Sequence, residues 1–337
     1  YVLRVFLFKS SRHRELHLNT SAIIRITACL FAMLFCTPAF TQTADSPETL
    51  EAKAQRGDIE AQIALGEMYV DGDRVPKDQD KAAYWLNKAA EQGNAHAQAS
   101  LGWIYAPQAG MLNDPVKAAY WYGKAAEQGH ATAQSNLGMM YAEGDGVQID
   151  SATAVYWLEK AAEQGVAAAQ FNLGRIYVIG KMVPKDSAKA LYWISKSAEQ
   201  SLAAAQYTLA AMYAKGDGVP NDMAKALYWV NNSAEQGFPE AQFQLGQMYI
   251  AGQYMAKDST KAVHWLVKAG EQEFVDAQFA LGSLYLEGKE LPKDLSKAAY
   301  WLGKAAEQGL AYAQNNLAMM YAAGNGIPKD SVLAYAW

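Results

Sequence analysis

The sequence predicts an all-α protein, a solenoid of stacked helix-loop-helix repeats. Two observations carry most of that prediction. The pair Ala-Gln recurs at Ala61-Gln62, Ala97-Gln98, Ala133-Gln134, Ala169-Gln170, Ala205-Gln206, Ala241-Gln242, Ala277-Gln278 and Ala313-Gln314, always at a step of 36. Trp keeps the same step from Trp85 to Trp337, Leu from Leu65 to Leu317, Tyr from Tyr69 to Tyr321 and Asp from Asp78 to Asp330. A fixed period of this length marks a repeat architecture. A third observation lies inside one period, where apolar residues follow helical spacing and no strand signal occurs.

One unit is read in chain order. From Ile59 to Asp71, residues Ala61, Leu65, Met68 and Tyr69 share a face, the spacing of an amphipathic helix. Gly72 stops it, and a Gly- and Pro-marked loop follows. Asp78 is the N-cap of a second helix, which runs through Ala82, Trp85, Leu86, Ala89 and Ala90 to Gly93. The same cap is expected at Asp114, Asp150, Asp186, Asp222, Asp258, Asp294 and Asp330. Two helices of this size cannot bury their own apolar stripes, so neighbours must stack. The small residue at Gly66, Gly102, Gly138, Gly174, Gly246 and Gly282, replaced by Ala210 and Ala318, implies a close helix approach there. In the second unit Pro107 stands where other units have a helix residue, so that first helix should end about a residue early.

The units are 58–93, 94–129, 130–165, 166–201, 202–237, 238–273, 274–309 and an incomplete 310–337. Residues 42–57 are a linker and N-terminal capping helix, and 1–41 a targeting segment. That segment carries Arg4, Lys9, Arg12, Arg14 and Arg25 against Glu15, so it is basic while the rest of a chain of net charge −5 is acidic. Its apolar run, Ile26 to Phe35, is half the ~20 residues a membrane-spanning helix needs. That length suits a signal peptide cleaved after Ala39 or Thr41, and hence a periplasmic or secreted protein. Bulky Phe35 before Cys36 speaks against a lipoprotein site. The chain begins with Tyr1 rather than Met, which leaves residues 1 to about 20 as surplus translated sequence or the chain as a fragment. Stopping at Trp337, with the last repeat unfinished, reads as truncation at the other end. Cys29 and Cys36, the two cysteines, both fall in 1–41, so the repeats must hold without disulfides.

The acidic balance excludes the basic surface that phosphate binding needs, so no nucleic acid is expected. His96, His130 and His264 sit singly, without an H-E-x-x-H or an i, i+4 pair, so no metal site is read. His264 takes the place of a recurring Tyr (Tyr84, Tyr120, Tyr156, Tyr192, Tyr228, Tyr300). No serine β-lactamase, nucleophile-elbow, Walker or dinucleotide motif occurs. The recurring Glu91, Glu127, Glu163, Glu199, Glu235, Glu271 and Glu307 read as solvated helix ends, the repeated Gln as a hydrogen-bonder to the adjacent turn, and the recurring Trp and Tyr as core.

The third unit shows Ala133, Leu137, Gly138, Tyr141, Gly144, Gly146, Val147, Asp150, Ala154, Trp157, Lys160, Ala161, Ala162 and Gly165. With this set the chain resembles the Sel-one-like repeat family, relatives of the tetratricopeptide repeat, over residues 58–337. The resemblance implies a right-handed superhelix, first helices lining a concave surface, and work as an adaptor in protein complexes. Some bacterial members carry cysteine pairs and a β-lactamase label, and the repeats here lack Cys.

Positions 60, 63, 64, 67 and 71 of the unit vary and fall opposite the repeated ones, so they form the candidate binding face. Its expected contact residues are Trp103, Met139, Phe171, Arg175, Tyr207, Phe243, Gln247 and Phe279. Phe171, Tyr207, Phe243 and Phe279 are aromatic in four successive units and form either a ladder for an extended peptide or packing between helices. The reading is a non-enzymatic scaffold exported to the bacterial envelope, with a protein or peptide partner and no cofactor. The alternatives are an envelope hydrolase of the β-lactamase-labelled type, or the same adaptor anchored in the inner membrane by an uncleaved head.

If the Asp residues are caps, Asp150→Ala or Asp186→Ala lowers the melting temperature. Reducing agent leaves the wild-type melting curve where it was. A shift with reductant would mean that Cys36 is retained and used.

Overall fold

A computed structural model describes residues 45–107 and 111–337. The targeting segment 1–41 with its cleavage points, Cys29 and Cys36 lies outside the described residues, as do Gln108, Ala109 and Gly110 of the second loop. Every regular element among the described residues is a helix. Short α1 (Pro47–Gln55) comes first. Helix pairs follow: α2 (Ile59–Asp71) with α3 (Gln79–Glu91), α4 (Ala95–Tyr105) with α5 (Pro115–Glu127), and α6 (Ala131–Glu143) with α7 (Ser151–Glu163). Next come α8 (Ala167–Ile179) with α9 (Ser187–Glu199), α10 (Ala203–Lys215) with α11 (Met223–Glu235), and α12 (Pro239–Ala251) with α13 (Ser259–Glu271). The last are α14 (Val275–Glu287) with α15 (Leu295–Glu307), and α16 (Ala311–Ala323) with short α17 (Ser331–Ala336). The chain forms two compact units, residues 1–169 and 170–337, and the division falls within α8. Each unit is a stack of helix pairs, so the fold is the all-α solenoid class.

First helices begin in two ways. Asp58 and Asn94 accept the N–H of Ala61 and Ala97, and His130 accepts that of Ala133 through Nδ1 at 3.3 Å. Leu202, Phe238, Phe274 and Leu310 stand in the same place and offer no side-chain cap. Most first helices end on a left-handed glycine such as Gly72, φ 74°. α4 has no such glycine and ends at Tyr105, two residues short of the corresponding Pro107. Ala106 before it is extended, ψ 141°, as a residue preceding proline must be. The loop nevertheless closes on the bond used elsewhere. Asp114 N–H donates to the Tyr105 carbonyl at 2.8 Å, as Asp78 N–H does to Tyr69 at 3.0 Å.

Packing is asymmetric. In α3 the buried residues, Ala82, Ala83, Trp85, Leu86, Ala89 and Ala90, make one stripe. In α2 burial reaches further round, through Ala61, Gln62, Ile63, Leu65, Gly66 and Met68. The two helices approach closely: a Cβ on Gly66 would lie 2.6 Å from Leu86 Cγ. The same contact recurs from Gly246 to Leu266 at 2.6 Å and from Gly102 to the Tyr122 ring at 2.5 Å. Where the glycine becomes Ala210, the opposing residue becomes the smaller Val230, and both are buried in one cluster.

A buried amide joins the pairs. Gln62 Nε2 donates to the Ala54 carbonyl at 2.9 Å, and its Oε1 accepts from Gln92 Nε2 at 2.8 Å. Gln98, Gln134, Gln206, Gln242 and Gln278 repeat both bonds, reaching back to Ala90, Ala126, Ala198, Ala234 and Gly270. They accept in turn from Gln128, Gln164, Gln236, Gln272 and Gln308.

One expectation needs correcting. The recurring aromatics are not all core. Trp85 and Trp301 are buried, but Tyr84 beside Trp85 is 54 % exposed, and its equivalents are exposed too. Tyr84 stands edge-on to Trp85 at 4.9 Å, with the Lys88 ammonium 5.7 Å from its ring. Such a ring is held by contact with its own helix and needs no burial. His264 takes the same edge-on position against Trp265 at 5.2 Å.

Gly246→Ala forces a methyl against Leu266 and should cost about 1–3 kcal/mol by overpacking. Adding Leu266→Val should recover much of that loss, as the Ala210–Val230 pair already does. Urea titration of the two single variants and the double variant checks this. Simple additivity would count against it.

Candidate functional site

The side of the first helices that carries unrepeated residues is only partly open. Trp103, Met139, Arg175 and Gln247 hold the position of Glu67 in successive or later repeats and are half-buried. In unit one, Trp103 lines a small cleft with Glu67, Val70, Leu86, Ser100 and Ile104.

The four aromatic residues of unit two do not stand as an open ladder. Phe171 is 7 % exposed, and Tyr207, Phe243 and Phe279 are half-buried. Each of the last three meets a ring of the next repeat: Tyr207 meets Phe238 at 5.4 Å, Phe243 meets Phe274 at 5.4 Å, and Phe279 meets Tyr312 at 6.4 Å. Position 63 points along the seam between helix pairs, so an aromatic side chain there is partly covered by its neighbour. The buried Phe171 ring lies under a cation, with the Arg175 guanidinium 5.6 Å from its centroid.

The partner rings escaped the sequence reading, although a signal was present. The residue before each first helix runs Asp58, Asn94, His130 and then Val166, Leu202, Phe238, Phe274, Leu310, so the change falls at Val166, near the end of unit one. Side chains that hydrogen-bond give way to side chains that pack.

Unit two also holds an unusual carboxyl group. Glu240 lies in the first turn of α12, and its Oε2 is buried with no hydrogen-bond partner. Burial raises the Glu240 carboxyl above its ordinary value. The Tyr207 hydroxyl is pushed up to about 12, first by burial and then by the charge of Glu240.

Unit one carries a different arrangement. His96 and His130 are not isolated from each other, because stacking brings their rings to 6.2 Å. His96 Nε2 meets Glu67 Oε1 at 2.9 Å. That hydrogen bond raises the His96 imidazole, while burial, and then the neighbouring His96, lowers His130. No group of three residues suited to a metal occurs among the described residues.

The recurring acids have structural uses. Asp78 and its equivalents each accept an N–H of the helix they begin, as Asp78 does from Lys81 at 3.0 Å and Asp294 from Lys297 at 3.0 Å. Bonds from Lys117 hold Asp114 below the usual carboxylate range, and bonds from Thr153 do the same for Asp150. Glu91 and its equivalents are exposed at helix ends.

The Sel1 repeat model matches residues 59–94, 95–130, 131–166, 167–202, 203–238, 239–274, 275–310 and 311–337. The chain belongs to the Sel1 repeat family, whose members are generally protein-interaction scaffolds. It is similar to the Sel1 repeat protein from Oxalobacter formigenes, at 34 % identity and a TM-score of 0.64, over 93 % of this chain and 94 % of that one. It is also similar to a protective antigen of uropathogenic Escherichia coli with an SLR fold, at 33 % identity and a TM-score of 0.50, over 87 % of this chain and 78 % of that one. No curated protein matches the chain.

The two histidines give opposite pH dependences. His96 is raised in the fold, so its contribution is complete below the ordinary imidazole value of about 6.5 and fades as pH climbs through the raised one. His130 is lowered, so its contribution is complete above about 6.5 and fades as pH falls through the lowered value. Protonation also removes the Nδ1 lone pair that caps Ala133. His130→Asn keeps a capping side chain that does not titrate. Its melting temperature should gain on the wild type as pH falls from 7.5 to 5, and a constant gap would refute the cap as the source.

Proposed function

We propose that this protein is a non-catalytic interaction scaffold exported to the bacterial envelope, where it takes an extended segment of a partner protein along its first helices. Family membership supports the scaffold class. One observation carries the choice of face. The residues that recur are used up in holding the fold: the Gln amide and the Asp cap in every repeat, and in most the close-approach glycine and the large side chain it meets. The position of Glu67 stays partly open in every repeat and changes along the chain, as Glu67, Trp103, Met139, Arg175, Ala211, Gln247, Ser283 and Met319. Chemistry that changes along a regular frame is what reading a specific segment needs, and Trp and Arg are favoured where binding energy concentrates.

Envelope location rests on the basic, apolar segment 1–41, and N-terminal sequencing of the exported protein tests it. An intact head would replace export by anchoring. For binding, affinity capture from an envelope extract is run with the wild type and with Trp103→Ala and Arg175→Ala. A partner retained by the wild type should be lost or weakened about fivefold or more by at least one substitution, the scale of an interface hot spot. Equal capture by all three, at unchanged melting temperature, would remove this face from the proposal.

A further inference from the structure

The first helices of unit two carry a carboxyl group with one oxygen that the fold does not use. Glu240 follows Phe238 and Pro239 at the start of α12. Its Oε2 is shut off from solvent without a donor, yet the residue as a whole keeps part of its surface open. No lysine or arginine among the described residues pairs with it. Its own backbone N–H donates to the carboxyl group, but at Oε2 burial removes water and nothing replaces it, so the group is under-satisfied.

Its surroundings are aromatic. The Tyr207 and Phe238 rings lie 5.4 Å apart, and Tyr207 is close enough to feel the Glu240 charge. One repeat further on, Asp276 holds the position of Glu240, two residues after Phe274, and it is exposed. Ring faces are negative and attract cations, most strongly where water is partly excluded. Aromatic faces and carboxylates together favour positive charge and disfavour negative charge.

We propose that Glu240, with the Tyr207–Phe238 ring pair beside it, receives the cationic side chain of an arginine or lysine in the extended segment bound by unit two. The inference rests on the peptide-binding reading above and adds the chemistry of one of its contacts. Part of Glu240 stays open to solvent, so a cation can approach the carboxyl group from that side without disturbing the helix. The incoming guanidinium or ammonium meets the carboxylate as a charged donor on its open side, and the rings cover its hydrocarbon stem. A metal ion is disfavoured, because no three-ligand group stands here among the described residues.

The test uses the full chain and a phage-displayed nonapeptide library, selected in parallel on the wild type and on Glu240→Gln. The amide keeps the shape of the carboxylate and removes its charge, and a thermal melt confirms that the variant is folded. Peptides selected on the wild type should carry Arg or Lys at one fixed position, and those selected on Glu240→Gln should not. Replacing that residue by norleucine in the best peptide should weaken binding to the wild type about tenfold and leave binding to the variant nearly unchanged. Selected peptides without a fixed cation, or the same cation preference on both proteins, would overturn this inference and leave the peptide-binding reading standing. No enrichment on either protein would overturn both.

Discussion

The structure depends on a buried amide. A helix leaves its last carbonyls without intrahelical partners, and in a stack of helix pairs some of those carbonyls are covered by the next pair. Gln62 answers this with one side chain, donating to Ala54 on the preceding helix and accepting from Gln92 at the end of its own pair. Both bonds require the three helices at set heights and distances. The Ala54 carbonyl also accepts from the Gly57 N–H at 3.0 Å, so a residue added to or removed from either helix would leave the buried Gln62 amide itself without partners, at a cost of about 1–3 kcal/mol. Hence the period stays at 36 from Gln62 to Gln314. The loop of the second repeat changes its composition and shortens its helix, yet it still closes on the Asp114–Tyr105 bond and leaves the spacing alone.

The close helix contact is the second constraint, and it acts through volume. A glycine in a helix interior costs about 1 kcal/mol against alanine, so its use at Gly66, Gly138 and Gly246 has to be matched by something gained. The gain is the side chain opposite: Leu86, Leu158 and Leu266 are fully buried where a Cβ would stand. Ala210 against Val230 reaches the same fit from the other direction. In the second repeat Tyr122 fills the space opposite Gly102, fully buried, with its hydroxyl bonded to Asn136. Asn136 varies along the series but serves the interior, so variability alone does not mark a contact surface.

The same lesson separates what was legible in the sequence from what was not. Periodicity reveals the helix pairs, the caps, the stops and the amide, because each is a repeated answer to a repeated problem. The placement of Phe171 and Tyr207 was not legible, since a helical wheel treats the helix as an isolated cylinder. It assigns a direction and cannot say whether the next pair already covers it. The rings that meet Tyr207 and Phe243 come from Phe238 and Phe274, about thirty residues on and outside any single helix pattern. The approach of His96 to His130 was hidden in the same way, by reading each repeat alone. Tyr84 erred in the opposite sense: its recurrence reflects contact with Trp85 and Lys88 and not burial.

The two ways of starting a first helix bear on where recognition lies. In the first three repeats the helix start is closed by its own side chains, with Asn94 bonded to Ala97 and His130 to Ala133. In unit two the corresponding Phe238 and Phe274 leave those N–H groups without a side-chain partner and pack instead. An aromatic contact of this kind is worth about 0.5–1.5 kcal/mol beyond burial, the same scale as a lost cap, so neither design is much the more stable. What differs is the chemistry left at the surface. The positive helix start favours an acid in the first turn, which is where Glu240 and Asp276 stand. The dipole helps to hold the Glu240 charge against burial but supplies no donor for its sealed oxygen. Burial works against the charged form of Glu240, so a cation placed beside it would favour the carboxylate and answer the charge that the fold leaves without a partner cation.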